Sequence, residues 1–211
     1  MSSSERPLPL VEATAAFMLI MLYIWRLRYE WPSSWLLILG LILASHIFRK
    51  ETLEALGFRG ANLRRCFALY SPFLFFLSAA LLAMGMVFHS IRQVTWDSAF
   101  ASLIFNCVWG LFQQYLLNGY FVNRFRLSFP AGEAKHIPLA AATIFAGVHL
   151  PNWFLMAVTF AAGYLSGRVY LRYGNLYFLG VAHGVIGFLL YLVVPDSISH
   201  HLYVGPKWFS R

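Results

Sequence analysis

Residues 98–121 read SAFASLIFNCVWGLFQQYLLNGYF, a run without a single Asp, Glu, Lys or Arg. A bilayer core about 30 Å thick is crossed by roughly 20 consecutive apolar residues in a helix, so this run predicts a membrane span. It also carries four amides, Asn106, Gln113, Gln114 and Asn118. A helix turns by about 100° per residue, which puts Asn106 and Gln113 on one face and Gln114 and Asn118 one turn apart. Polar groups in hydrocarbon are costly unless paired. The run therefore predicts a spanning helix whose polar stripe faces other helices or a cavity.

Outward from this helix the pattern recurs. Leu8–Trp25, Trp35–Phe48, Phe67–Phe88, Ile137–Leu150, Asn152–Tyr170 and Leu176–Val194 are apolar segments of similar kind. With Ser98–Phe121 they predict an all-α polytopic transmembrane helix bundle of about seven spans, read as one membrane domain over residues 1–211. The second and fifth segments are short and call for tilt or partial insertion. Pro151-Asn152 reads as a tight break between two helices. The first segment ends in Arg26-Leu27-Arg28 and has no small-residue cleavage site, so it is kept as a span. Composition agrees: 60% of residues are hydrophobic and 11% charged, against about 25% charged in a soluble domain. That excludes a disordered chain, and two cysteines exclude a disulfide-stapled module. Cys66 and Cys107 read as small packing residues.

The basic residues sort by side. Arg6, Arg49, Lys50, Arg59, Arg64, Arg65, Arg124, Arg126, Lys135, Arg168 and Arg172 fall on one side, eleven against five for Arg26, Arg28, Arg92, Lys207 and Arg211. The positive-inside rule then predicts a cytoplasmic N-terminus, in an integral protein of a prokaryotic cytoplasmic membrane. The net charge of +8 is accounted for by flanks facing anionic lipid headgroups. Membrane lipids are thus expected partners and nucleic acid is not, since no basic stretch interleaves with exposed aromatics. The loop Arg49–Arg65 is the longest polar stretch, and a short interfacial helix is expected in it.

Two histidines, His149 and His183, lie on separate spans. Each alone reads as a hydrogen-bonded packing residue. Together with the amide stripe they also fit a shared polar cavity. Gly163 and Gly167, and Gly180 and Gly184, are small residues four apart that let helices approach closely. His46, His89, His136, His200 and His201 read as structural or surface residues.

In order, these pieces resemble the CPBP family, the CAAX proteases and bacteriocin-processing (Abi) membrane proteins, over roughly residues 100–190. The family's Glu-Glu-x-x-x-Arg motif aligns with Gln113-Gln114-Tyr115-Leu116-Leu117-Asn118, its Phe-x-x-x-His with Phe145–His149, and its His-x-x-x-Asn with His183–Gly187. Gly163-Tyr164-Leu165-Ser166-Gly167 and Tyr173-Gly174-Asn175-Leu176 resemble its linking stretch. The resemblance implies an intramembrane endopeptidase acting on a membrane-associated peptide. His149, His183, Gln113, Gln114 and Asn118 would be its catalytic positions, with Phe145, Gly187 and Asn106 near substrate. It implies no cofactor, and two histidines among amides make a thin ligand set for a metal.

The departures bear on chemistry. Both Glu positions are Gln, the Arg is Asn and the last Asn is Gly. Gln has nearly the shape of Glu but takes up no proton at neutral pH, and losing a general base costs about 10²–10⁴ in rate. None of the chain's eight acids lies within the fourth to seventh predicted spans. Asp97 stands about 24 Å along a helix from Gln113, and only Glu12 is placed to dip into a cavity between spans. Neutral histidine can accept the proton instead. Two readings follow: a protease with a variant Gln/Asn/His site, or a non-catalytic pseudoprotease that binds a membrane peptide or partner helix.

Overall fold

The computed structural model describes residues 7–210; Glu5, Arg6 and Arg211, counted among the charges above, lie outside the described residues. Helix α1 (Pro7–Leu22) runs on through a π-helical turn (Tyr23–Leu27) and Arg28–Glu30. It is followed by α2 (Trp35–Phe48), α3 (Leu63–Val87) and α4 (Trp96–Gln114). The chain continues from α4 without a break, through π-helical Tyr115–Val122 and helical Asn123–Ser128. Then come α5 (Ile137–Gly147), α6 (Trp153–Tyr173), α7 (Leu176–Val193) and the short α8 (Asp196–Ser199). An all-α polytopic bundle is what the apolar runs predict.

Five stretches are long and apolar enough to cross a bilayer: Leu8–Glu30, Leu63–Val87, Trp96–Ser128, Trp153–Tyr173 and Leu176–Val193. At about 1.5 Å per residue, α2 and α5 are shorter than a hydrocarbon core. Two of the seven expected spans are therefore helices of sub-membrane length. The segment between α2 and α3 forms turns and no helix among its described residues, in place of the expected interfacial helix. Its polar side chains are spent instead on contacts with the rest of the chain, given below. Large apolar side chains face outward, with Phe73, Phe75 and Phe76 of α3 58–70% exposed. That distribution suits a lipid surround.

Two helix pairs frame the interior, α4 against α7 and α5 against α6, with α3 on the outer side of α7 and α1 across the Asn123–Ser128 turn. The glycine spacing explains the first crossing. A Cβ on Gly184 would run into the Cα of Cys107, and one on Gly180 would stand 2.8 Å from the Cα of Leu111. Small residues let the backbones touch. At Gly187 the nearest atom to an added Cβ is Asn106 Oδ1 at 3.5 Å, ordinary contact. Gly184→Ala is accordingly expected to destabilise the protein by about 1–3 kcal/mol through overpacking, with Gly187→Ala close to neutral. Thermal unfolding of the detergent-solubilised variants checks both.

The bundle's two ends are tied differently. At one end Asn62 Nδ2 donates to the carbonyl of Tyr173 (2.6 Å) and Leu176 N to that of Gly57 (2.8 Å). Gly174, at φ +57°, ends α6. Asn175 then starts α7 by accepting from Phe178 N at 2.9 Å. Segments that carry the larger basic set meet at this end. At the other, Arg92 Nε donates to the Tyr191 carbonyl (2.7 Å) and its guanidinium to Asp196 (2.9 Å).

Candidate functional site

At the C-terminal end of α4 the amides meet the imidazole of α7. Asn118 Nδ2 donates to Gln114 Oε1 at 2.5 Å, as residues four apart on a helix can. Gln114 Nε2 then donates to His183 Nδ1 at 3.1 Å. Asn118 Nδ2 also lies 3.4 Å from Ser166 Oγ of α6, and that hydroxyl donates to the Gly163 carbonyl at 3.3 Å. Gln114 and Asn118 are 2% and 0% exposed, whereas His183 and His149 are half-buried. The cluster thus has a buried floor of amides beneath half-buried imidazoles. Asn118 Oδ1 is enclosed and has no partner among the described residues.

The second histidine joins through an aromatic ring. His149, just past the end of α5, donates from Nδ1 to the Phe145 carbonyl at 2.6 Å. Phe145 stands edge-on to His149, with centroids 5.1 Å apart, and tilted to His183 at 5.8 Å. The corner that carries His149 is fixed by Asn152, which is fully buried. Its Oδ1 accepts from Leu155 N at 3.1 Å, and its Nδ2 donates to the Ser199 and Tyr203 carbonyls at 2.9 and 3.0 Å. The predicted break at Pro151-Asn152 is therefore a cap that also anchors the C-terminal segment.

These bonds assign the hydrogens. Gln114 has its Oε1 engaged by Asn118, so its amino group faces His183, and His183 Nδ1 must accept. A neutral His183 then carries its hydrogen on Nε2 and is a donor there. His149 is the reverse: Nδ1–H is given to a carbonyl, and Nε2 is left as an acceptor. One imidazole offers a hydrogen and the other a lone pair.

The other expected positions are less engaged. Asn106 donates to the Ser102 carbonyl of its own helix at 2.8 Å, and Gly187 lies beside it and His183. Gln113 is half-buried. The four-amide stripe thus divides: Gln114 and Asn118 enter the cluster, while Asn106 bonds its own helix. The helix turns π-helical from Tyr115, within the cluster, a frequent feature of functional sites. Ser166 was not foreseen; its only sequence signal is its place between Gly163 and Gly167. Among the described residues no three His, Cys, Asp or Glu side chains gather as a metal ligand set.

A second polar group, also unforeseen, lies at the basic end. Arg124, 0% exposed, binds Glu51 Oε1 and Oε2 at 2.8 and 2.9 Å and Ser45 Oγ at 3.0 Å. Its Nε is 3.1 Å from Glu12 Oε2, and Glu12 is also bound by Arg49 at 2.6 Å. Glu12 does dip inward as expected, but into this ion cluster. His46, expected to be structural or surface, is buried here. Burial pushes the Glu51 carboxyl up, but hydrogen bonds from His46 and Arg124 outweigh it and bring it from an ordinary 4.5 down to about 2. A depressed carboxylate stabilises the fold fully above its unfolded value and loses that contribution as pH falls through the folded one. The melting temperature is therefore expected to drop as pH is lowered from about 4.5 toward 2, with Glu51→Gln removing that part of the titration.

Residues 95–189 match the family model described as Rce1-like, type II CAAX prenyl endopeptidase Rce1-like. The match covers the segment in which the three motifs were read. No curated protein and no solved structure matches the chain.

Proposed function

We propose, from the match of residues 95–189 to the type II CAAX prenyl endopeptidase Rce1-like family model, that this protein is a CAAX-protease-like intramembrane protease that cleaves a membrane-associated peptide with a variant site of amides and imidazoles. The supporting observation is the opposed pair of tautomers around Phe145. His149 Nε2 takes a proton from the attacking water. The water oxygen bonds to the scissile carbonyl carbon, and the oxyanion that develops is met by the Nε2–H of His183. Collapse of that intermediate breaks the C–N bond, and the departing amine receives the proton from His149. Gln114 and Asn118 hold His183 in its donor form, and half-buried Gln113 is free to orient the water. The N-terminus lies in the cytoplasm on this reading, which puts the basic end of the bundle there.

Purified protein with a membrane-associated peptide tests it. His149→Ala and His183→Ala are each expected to lower turnover by about 10²–10⁴-fold. Cleavage that survives both changes overturns the mechanism. Peptide binding without product from the native protein supports the second reading, a pseudoprotease, which the replacement of both glutamates by glutamine favours.

A further inference from the structure

His46, at the end of α2, is 5% exposed. Its Nδ1 lies 2.5 Å from Glu51 Oε2, within reach of an N–H···O bond to a carboxylate. Nδ1 therefore carries a hydrogen, and Arg124 Nη2, 3.3 Å from the same nitrogen, stands beside it without donating. His46 Nε2 is enclosed and has no hydrogen-bond partner among the described residues. The Tyr115 hydroxyl is in the same condition, on a side chain 8% exposed. The two rings are neighbours, with centroids 5.8 Å apart and planes tilted by 50°. Tyr120 closes one side, edge-on to His46 at 5.6 Å, and Phe58 lies against Tyr115 at 5.9 Å.

Enclosed polar atoms are nearly always bonded, and where protein supplies no partner, ordered water does. Nε2 needs one in either protonation state: it accepts when the ring is neutral and donates when it is charged. A phenol hydroxyl likewise donates or accepts. Water, which both donates and accepts, serves every combination. We propose that the Glu51–His46 pair and Tyr115 form a second polar centre, which holds one water molecule between His46 Nε2 and the Tyr115 hydroxyl. Carboxylate, imidazole, water and phenol then make one hydrogen-bonded series. It joins the loop after α2 to the first π-helical residue, immediately beyond Gln114. Arg124 faces the same carboxylate and imidazole, Ser45 Oγ links Arg124 to Glu12, and Arg49 pairs with Glu12. This inference stands independently of the peptidase reading.

Tyr115→Phe removes the hydroxyl alone. With a bridging water, the melting temperature of the full chain in detergent falls by about 2–4 °C, and the fall shrinks to less than half in the His46→Phe background. An unchanged or raised melting temperature overturns the proposal, because deleting a truly unpaired hydroxyl is neutral or stabilising. An equal fall in both backgrounds also overturns it, since the hydroxyl is then not coupled to His46. High-resolution density for the protein in nanodiscs gives a second readout. One peak within hydrogen-bond reach of both atoms supports the site; an empty space or a direct His46–Tyr115 bond refutes it.

Discussion

Arg124→Ala is expected to lower the melting temperature of the detergent-solubilised protein by roughly 6–20 °C, followed by tryptophan fluorescence. The guanidinium is wholly buried, lies over the Tyr120 ring at 4.8 Å and compensates two carboxylates, Glu12 and Glu51. Removing one partner of a buried ion cluster leaves uncompensated charge, at a cost of about 3–5 kcal/mol, and each kcal/mol moves a chain of this size by about 2–4 °C. Arg124→Lys should recover only part of the loss, because an ammonium cannot grip Glu51 with two parallel bonds. A triple change, Arg124→Met with Glu12→Gln and Glu51→Gln, should sit nearer the native protein than Arg124→Ala does, since no stranded charge remains. If the triple variant is the least stable of the set, the cluster contributes by packing and the electrostatic account fails.

That cluster also marks where the sequence stopped being legible. Apolar runs bounded by charge are read well: α2 was expected over Trp35–Phe48 and forms there, and α7 was expected from Leu176 and starts there. The fourth span is expected over Ser98–Phe121. The helix in fact continues to Ser128. Arg124 can be buried inside it only because Glu12 and Glu51 arrive from elements far away in the chain, and no local pattern announces a pairing of that kind. Glu51, in the loop after α2, reaches Arg124 by the same kind of distant pairing. At the candidate site the motif order found His183, Gln114 and Asn118, which do touch, and Phe145 with His149 beside them. What it could not find was Ser166, a contact made by helix crossing, or the departure of Asn106 from the stripe. Asn106 lies on the regular helix two turns before Gln114 and spends its amino group on the Ser102 carbonyl of that helix, a local bond that periodicity does not announce.

Changing Gln114 to Glu should reverse the hydrogen on His183, and from that reversal comes a large change in activity. In the native protein Gln114 Nε2 faces His183 Nδ1 at 3.1 Å and requires it to accept. A carboxylate at that place can only accept, so Nδ1 becomes the protonated nitrogen and Nε2 of a neutral ring becomes a lone pair. Asn118 Nδ2, already bonded to Oε1 at 2.5 Å, continues to serve the new carboxylate. The single variant thereby removes the donor assigned to the oxyanion, and turnover by a variant-site protease should fall, by about 10²–10³-fold if that donor acts as an oxyanion-hole group. Adding Gln113→Glu supplies a half-buried carboxylate able to take a proton from water, and the double variant should gain about 10²–10⁴-fold over the single one. Peptide cleavage by the native chain, the single and the double variant therefore separates the two readings. A fall followed by a rise means that the native amides are working parts of a protease. Activity that appears in the double variant alone means that the native cavity binds its peptide without cutting it. Equal rates in all three would mean that neither amide touches the chemistry, leaving the Gln114–His183 bond as packing between α4 and α7.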